Sequence, residues 1–219
     1  MDNFNPKVME QMAKIMLKDE YQDPIAASKQ EAQVDFFNRN WRFGKLLDIG
    51  CGSGTQFEWF PITHAIEPNP ERAMKATQRN GPQILQGWAE NLPYQDKYFD
   101  TVTWHSGFYF ARSRLEAVSE INRVLKVKGV FIFEITTWTT FPIIDTVDED
   151  SFIHYIRNCG FEILERRKSP YCTNWQHEVM FAVEKIRDFN WRYFCMPHVP
   201  GKIRNFLEER DWYMTPADK

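Results

Sequence analysis

The spacing of hydrophobic residues changes near residue 44, and the change separates two kinds of predicted structure. In residues 1–40 the apolar positions recur at helical spacing. Asn5-Pro6 and Asp23-Pro24 each place a capping residue before a proline that suits the first position of a helix. We therefore predict two helices in this segment. The methionine-rich face of the first helix is more typical of core packing than of a cofactor surface.

From residue 45 onward, short apolar runs alternate with helical patterns. Strands are predicted at 45–50, 62–67, 83–87, 99–105 and 130–137, and helices at about 55–60, after the capping residue Asn69, and at about 113–126. Strands that are separated by helices form a parallel sheet with helices on both faces. This part of the chain is therefore predicted to be an α/β domain.

The pattern changes again after Gly160, where a helix predicted at about 149–158 ends. Two strand-like runs, 161–168 and 177–185, follow with no helical pattern between them, which predicts an antiparallel hairpin. The expected fold is thus a Rossmann-like, seven-stranded, mostly parallel sheet with a C-terminal antiparallel hairpin. We treat the chain as one domain with three parts: N-terminal helices at 1–40, a core at 44–186 and a C-terminal extension, of no assigned role, at 187–219.

Composition narrows the function classes. With 219 residues, 43% hydrophobic and 26% charged, the chain has the make-up of a globular domain, and its net charge of -3 gives no preference for nucleic acid or anionic membranes. The longest apolar run is far shorter than the roughly 20 residues of a membrane span, and the first residues lack a secretory pattern. The four cysteines form no CxxC pair, so we expect no metal site. We expect a cytoplasmic protein, and its oligomeric state stays open.

The clearest chemical signal follows the first predicted strand, where Asp48, Gly50, Cys51, Gly52 and Gly54 form a glycine loop. Glycines let the backbone turn sharply and let a ligand touch the main chain. A dinucleotide loop of the nicotinamide type has the spacing G-x-G-x-x-G, whereas here the third glycine comes one residue early. The carboxylate two residues before the first glycine suits a cationic ligand group better than a pyrophosphate.

Two further segments lie near the ends of predicted strands. Glu67 ends the second strand, 19 residues after Asp48, and ligands of open α/β sheets bind beyond the carboxyl ends of the strands. Its carboxylate can accept hydrogen bonds from both hydroxyls of a ribose; alternatively, it only precedes the helix cap at Asn69. The other segment is GWAENLP, at 87–93, before the fourth strand.

Together these segments resemble class I S-adenosylmethionine-dependent methyltransferases, in particular the ubiquinone/menaquinone-biosynthesis-like (type 11) branch. LLDIGCGSG is similar to the first motif of that family, IEPNPERA to the stretch with the ribose-binding acid, GWAENLPYQDKYFDTV to the adenine-side motif, and INRVLKVKGVFIF to the helix and fifth strand. The resemblance is close over residues 44–137 and looser as far as residue 185. It implies that S-adenosylmethionine is the cofactor.

The resemblance also implies roles for the matching residues. Asp48 is expected to face the methionine ammonium group, Glu67 to hold the ribose, and the backbone of Ala89 to meet the adenine. The full set of expected cofactor contacts is Asp48, Gly50, Cys51, Gly52, Gly54, Glu67, Pro68, Trp88, Ala89, Glu90 and His105. Many relatives have an aspartate at the position of Trp88, so we expect the adenine to stack on an aromatic face or to use Glu90.

A sulfonium methyl group is a strong electrophile, so its transfer depends mainly on alignment and needs at most a modest general base. The candidate base is His105, with Tyr109 of the same loop as a second catalytic candidate; alternatively, the backbone satisfies the His105 ring at the strand end. Loop 105–110 and the N-terminal helices, which act as a lid in relatives, are expected to enclose an aromatic pocket. Such a pocket favours a flat or cationic acceptor, and an amine is our first choice ahead of a phenol.

The predicted function is S-adenosylmethionine-dependent methyl transfer to a small-molecule acceptor. An RNA or protein methyltransferase is a second hypothesis, which the acidic balance disfavours. A protein that binds S-adenosylmethionine without transferring the methyl group is a third. An NAD-dependent dehydrogenase fits the shape of the glycine loop alone, and the early third glycine argues against it.

Overall fold

The fold was analysed on a computed structural model, which describes residues 24–105, 107–108, 111, 113–139, 148–169 and 176–190. Its strands are β1 (Leu46–Ile49), β2 (His64–Ile66), β3 (Ile84–Leu85), β4 (Phe99–Trp104), β5 (Leu125–Thr139), β6 (Phe161–Lys168) and β7 (Gln176–Lys185). Its helices are α1 (Pro24–Asn40), α2 (Pro70–Thr77), α3 (Arg114–Val124) and α4 (Glu149–Asn158), with a short 3-10 helix at Thr55–Glu58.

The seven strands form one sheet in the order β3-β2-β1-β4-β5-β7-β6. Strands β1 to β5 pair in parallel, and β7 runs antiparallel to both β5 and β6. This arrangement confirms the predicted mostly parallel sheet and its C-terminal hairpin. Because the chain order reverses between β1 and β4, the carboxyl ends of these strands diverge into a crevice, which is where ligands of such sheets bind.

Local capping explains where the helices begin. Helix α1 begins at Pro24, as the Asp23-Pro24 pair predicts. In α2 the Asn69 side chain accepts the backbone N–H groups of Glu71 and Arg72, at 2.9 and 3.1 Å, and Pro70 lacks the N–H that a first-turn residue would leave unpaired. The predicted start of the helix after Asn69 is therefore confirmed.

Several element bounds differ from the prediction by one or more residues, and the differences are clearest at the junction of α3 with β5 and in β3. Helix α3 ends at Val124, and the chain enters β5 at once, because Leu125 already pairs with Phe99 of β4 before a register shift leads into the regular ladder. Strand β3 is limited to Ile84 and Leu85, the only residues that pair with β2 there. Neither change alters the order of the elements.

The two faces of the sheet bury different sets of residues. One face packs against Phe36 and Phe37 of α1, and the strands contribute Leu46, Val130, Ile132, Met180 and Ala182 to it. The opposite face forms the larger core with α3 and α4, and includes Phe131, Phe133, Phe152, Phe161 and Phe181. Adjacent β5 residues thus point to opposite faces, as the period of a strand requires.

Several predicted features lie outside the described residues: the first N-terminal helix, Tyr109, the connection between β6 and β7 at 170–175, and residues 191–219. Within the described part of the chain, no helix is long and apolar enough to cross a membrane.

Candidate functional site

Strand alternation brings a row of polar residues to the α1 face, at the carboxyl ends of the parallel strands. Asp48 lies two positions after the core residue Leu46, and Glu134 lies two positions after the core residue Ile132. Thr103 pairs in register with Asp48 in the neighbouring strand, and His105 follows two residues later. Residues of this kind would not be buried together in a purely structural core, so this edge is the candidate site.

The glycine loop links β1 to the 3-10 helix. Gly50, Gly52 and Gly54 have φ values of 66, 60 and 78 degrees, a left-handed conformation that glycine adopts without steric cost. The N–H groups of Gly50 and Cys51 both donate to the carbonyl of Ile66, at 2.9 and 3.1 Å, which ties the loop to β2. A side chain on Gly52 would come within 2.3 Å of an Arg72 guanidinium nitrogen. The loop therefore needs these glycines to keep its shape.

Glu67 is held by two backbone N–H groups. Its Oε2 accepts the N–H of Gly52 at 2.8 Å, and its Oε1 accepts the N–H of Asn69 at 3.0 Å. A carboxylate oxygen has two lone pairs, so each oxygen keeps one further acceptor position. The side chain is therefore fixed next to the glycine loop and can still accept two hydroxyl groups, which is what its predicted role at a ribose requires.

Asp48 is almost completely buried, with 1% of its surface exposed. Its Oδ1 accepts a hydrogen bond from the Thr103 hydroxyl at 2.9 Å. Its Oδ2 has no hydrogen-bond partner among the described residues. Burial raises the pKa of Asp48 to about 6, against the opposing influence of His105 and the Thr103 hydrogen bond. Since a buried acceptor without a donor is unfavourable, this oxygen is suited to receive a donor from a ligand.

His105 leaves β4 directly beside this carboxylate. Its side chain is 5% exposed, and its Nδ1 lies 3.6 Å from Oε1 of Glu134. Its ring stacks on that of Phe60, with centroids 5.7 Å apart. Neither ring nitrogen makes a hydrogen bond to any described residue. The structural alternative, in which the backbone satisfies the ring at the strand end, is therefore not the arrangement in this part of the chain.

Sequence reasoning missed two residues of this cluster. Glu134 is 2% exposed, and its Oε1 accepts a hydrogen bond from the Gln33 side chain of α1. The signal for Glu134 was present, because it is the one charged residue within the most apolar run of the chain, at 130–135. No comparable signal marks Gln33, since a single glutamine in a helical sequence is ordinarily a surface residue.

The other predicted contacts lie around the same crevice. Cys51 and Ala89 are buried and Pro68 is partly buried, whereas Trp88 keeps 37% of its surface exposed. Burial, reinforced by the charges of nearby carboxylates, raises the pKa of the Cys51 thiol, so it stays protonated at neutral pH.

Glu90 has a structural contact as well as its predicted role. Its Oε1 accepts the backbone N–H of Ser113, the capping residue of α3, at 3.2 Å. The adenine contacts of Trp88 and Glu90 remain predictions, and Tyr109 lies outside the described residues.

Comparisons with known proteins agree with this geometry. Residues 47–133 match a family described as "Methyltransferase domain". The glycine/sarcosine/dimethylglycine N-methyltransferase of Actinopolyspora halophila is 30% identical over 101 residues, which are 41% of this chain and 18% of that protein. The demethylmenaquinone methyltransferase of Staphylococcus aureus is 29% identical over 113 residues, 45% of this chain and 46% of that protein.

Among solved structures, a crystal structure from Thermotoga maritima has a TM-score of 0.59 at 20% identity, over 73% of this chain and 91% of that chain. It is described as an S-adenosylmethionine-dependent methyltransferase, possible histamine N-methyltransferase. At that identity the likeness demonstrates a common fold.

Residues 47–133 of this chain therefore match a methyltransferase domain of the class I, S-adenosylmethionine-dependent kind, and the similarity to the demethylmenaquinone methyltransferase supports the menaquinone-like branch. The predicted family and the predicted cofactor are confirmed, and the dehydrogenase that the loop shape alone allowed is not supported. The aligned segments cover 18% to 54% of the length of the curated relatives, so the acceptors named for those proteins belong to them.

Proposed function

We propose that this protein transfers a methyl group from S-adenosylmethionine to a small-molecule acceptor. The observation that carries the proposal is the buried Asp48 Oδ2, which lacks a hydrogen-bond donor among the described residues and lies beside the glycine loop. An ammonium group supplies both the missing donor and a compensating charge. The amino group of the methionine part of the cofactor has this chemistry.

The surrounding residues fit the rest of that cofactor. The free acceptor positions of Glu67 suit the two ribose hydroxyls, and the exposed part of Trp88 offers an aromatic face for the adenine. The bound cofactor would supply an electrophilic methyl group on a sulfonium ion. The chain's own contribution is then to align the acceptor with that methyl group and to exclude water.

We favour an amine as the acceptor because buried carboxylates cluster at this edge of the sheet. Asp48, Glu67, Glu134 and Glu178 are all between 1% and 3% exposed, and a positively charged acceptor would be attracted to them. One similar protein is named for methyl transfer to glycine, sarcosine and dimethylglycine, and another is described as a possible histamine N-methyltransferase. A third is named for demethylmenaquinone, which is not an amine, so the buried charge is the stronger support.

Surface charge supports a small molecule over RNA. The basic cluster of β6 is neutralised by its neighbours, since Arg166 pairs with Glu149 at 2.9 Å and Arg167 pairs with Asp35 at 2.7 Å. The net charge of -3 also disfavours binding to the phosphate groups of RNA. Basic side chains that are already paired offer few contacts to phosphate groups.

Residues 1–40 act in this proposal as a cover over the site. The described half of the segment, α1, reaches the site through Gln33. Deletion of residues 1–20 is expected to lower methyl transfer sharply while cofactor binding and the fold persist, as judged by calorimetry and circular dichroism. Full activity of the truncated chain would contradict this role.

Calorimetry with S-adenosylmethionine and S-adenosylhomocysteine tests the proposal first, and absence of binding by the full chain would refute it. A thermal-shift screen of small metabolites, with S-adenosylhomocysteine present, then searches for the acceptor. Formation of S-adenosylhomocysteine from the methyl donor separates an enzyme from a protein that only binds the cofactor. Binding without turnover on any acceptor class, including RNA and protein, would favour the latter.

A further inference from the structure

The groups around His105 bear on which of its two ring nitrogens carries the proton. The imidazole is buried, its two nitrogens lack hydrogen-bond partners among the described residues, and one of them faces a carboxylate. The groups that face the ring come from four elements: Asp48 of β1, Phe60 after the 3-10 helix, Glu134 of β5 and, through Glu134, Gln33 of α1. Among the described residues, Glu134 is the one placed close to a specific ring nitrogen, Nδ1.

A neutral imidazole carries one proton, and the partner of one nitrogen decides which nitrogen holds it. A carboxylate beside Nδ1 can only accept, so it stabilises the tautomer with a proton on Nδ1. The same preference leaves Nε2 unprotonated and able to accept a proton. Nδ1 and Oε1 are 3.6 Å apart, so the carboxylate acts on this nitrogen through its charge.

Gln33 orients Glu134, the carboxylate that faces His105. Its amide donates to the same Oε1 that faces His105. Helix α1, which carries it, is anchored in the core by Phe36 and Phe37, which are 1% and 0% exposed. The carboxylate is therefore oriented by the cover helix and not by its own strand alone.

We propose that Glu134 is a positioning residue that keeps the proton of His105 on Nδ1, so that Nε2 is the atom that receives the proton of the methyl acceptor. This step rests on the proposed function. The acceptor proton moves to Nε2, which leaves a lone pair on the acceptor atom. That lone pair forms the new bond to the methyl carbon, while the bond between that carbon and sulfur breaks and leaves its electron pair on sulfur. The resulting imidazolium later releases its proton to solvent.

The first test reads the tautomer directly and needs no substrate. In the full chain labelled with 15N-histidine, the shifts of the two ring nitrogens report which one is protonated, and His105→Asn assigns the signals. We expect the Nδ1-protonated form to dominate in the wild type. Glu134→Leu should lower its ratio to the other tautomer about tenfold, because the carboxylate that attracts a proton on Nδ1 is removed. Dominance of the Nε2-protonated form in the wild type would overturn the proposal.

Two further variants keep the test decisive if Glu134→Leu fails to fold. Glu134→Gln retains the shape with a weaker acceptor and should shift the ratio in the same direction by a smaller factor, and Gln33→Leu should do likewise. Glu184→Gln, which removes a carboxylate that pairs with Arg42 and Lys128, is the matched control and should leave the ratio unchanged. An unchanged ratio in every folded Glu134 variant would refute the role of Glu134.

A second readout separates this proposal from the proposed function. If the wild type shows the Nδ1 tautomer but binds no S-adenosylhomocysteine, the proposed function fails while the positioning role of Glu134 stands. If it binds S-adenosylhomocysteine and the tautomer does not depend on Glu134, the positioning role of Glu134 fails while the proposed function stands. Once an acceptor is known, Glu134→Gln should lower kcat while the KM for the methyl donor stays within about twofold, as expected for a residue that acts only on the base.

Discussion

Two groups of ionisable side chains are buried in this protein, and their hydrogen bonding differs. Lys185 of β7 is 0% exposed. Its ammonium group donates to the carbonyls of Asn122 and Leu125, at 2.6 and 3.0 Å, and pairs with Asp188 at 2.8 Å. An ammonium group has three donors, and here all three have partners. Lys185 therefore caps the C-terminal end of α3.

Asp48 and His105 are buried to nearly the same extent, but three of their four side-chain polar atoms have no hydrogen-bond partner among the described residues. This difference distinguishes a buried charge that stabilises the fold from one that binds a ligand. A complete set of partners supplied by the protein indicates a structural role, as at Lys185. An incomplete set indicates a position that a ligand completes, with stability lost in the free protein.

The strongest test of this comparison is Asp48→Asn, because two measurements should move in opposite directions. Affinity for S-adenosylmethionine should fall by about thirtyfold or more, since a buried charge pair with the ammonium group is lost. Stability without ligand at pH 7 should rise by at most about 3 kcal/mol, the equivalent of the pKa shift from 3.8 to about 6. Calorimetry and chemical denaturation check the two effects.

The sign of the stability effect follows from the raised pKa. The folded protein binds the Asp48 proton more tightly than the unfolded chain, so the ionised carboxylate destabilises the fold above about pH 6. The stability that is lost when Asp48 ionises is regained as pH falls from about 6 toward 3.8, the ordinary pKa of an aspartate. Asp96→Asn, at an exposed residue, is the control and should change neither property. A less stable Asp48→Asn protein would refute the contrast with Lys185.

The second test is Lys185→Met. Loss of the ammonium group leaves the buried carbonyls of Asn122 and Leu125 without a donor, so the free energy of unfolding should fall by about 3 kcal/mol. Affinity for S-adenosylhomocysteine should stay within about twofold of the wild type, because Lys185 acts on the fold alone. Lys168→Met, at an exposed position of β6, should change stability by no more than about 0.5 kcal/mol. A stable Lys185→Met protein with impaired binding would reverse the two roles.

Glu67→Ala probes an intermediate case, a carboxylate that is partly satisfied by the backbone. Cofactor affinity should fall at least about tenfold, since hydrogen bonds to a charged group are worth about 1.5–3 kcal/mol. Stability should fall by about 1 kcal/mol, because Gly52 and Asn69 lose the acceptor of their N–H groups. Glu71→Ala, in the exposed first turn of α2, is the matched control for calorimetry and denaturation. Unchanged binding in Glu67→Ala would exclude its role at the ribose.

The smallest expected effect is the pH dependence of cofactor binding. Because the pKa of Asp48 is raised to about 6, the carboxylate is mostly ionised at pH 7 and mostly protonated at pH 5.5. Affinity for S-adenosylmethionine should therefore fall about threefold to fourfold between these values. Calorimetry at both pH values measures it, and Asp48→Asn should lack this component. A wild-type affinity that is constant over the range would show that Asp48 does not bind the ammonium group.

Short-range signals made most of the fold predictable from the sequence. Prolines after capping residues marked the start of α1 and α2, and the glycine spacing after β1 identified the loop. These features depend on neighbours within a few residues. The end of α3 was predicted too late because the pairing of Leu125 with Phe99 overrides the local helical pattern.

The candidate site was predictable where it follows a motif and not where it depends on packing. Asp48 and Glu67 were identified from their spacing, and the structure brings both to the glycine loop. The contact of Gln33 with Glu134 joins residues 101 positions apart. No pattern in the chain encodes it, because it arises only when α1 packs against β5.

The placement of Glu134 has a consequence for the newly made chain. Strand β5 lies beside β7 in the sheet, and Glu134 pairs with Met180. At a synthesis rate of about 5–20 residues per second, roughly a few seconds pass before β7 leaves the ribosome. During that time the apolar run of β5 has an open edge, the kind of segment from which aggregates start. Glu134 interrupts that run with a charge and so acts as a gatekeeper against self-association. A hydrophobic residue at this position should increase the fraction of chains lost to inclusion bodies, separately from any effect on catalysis.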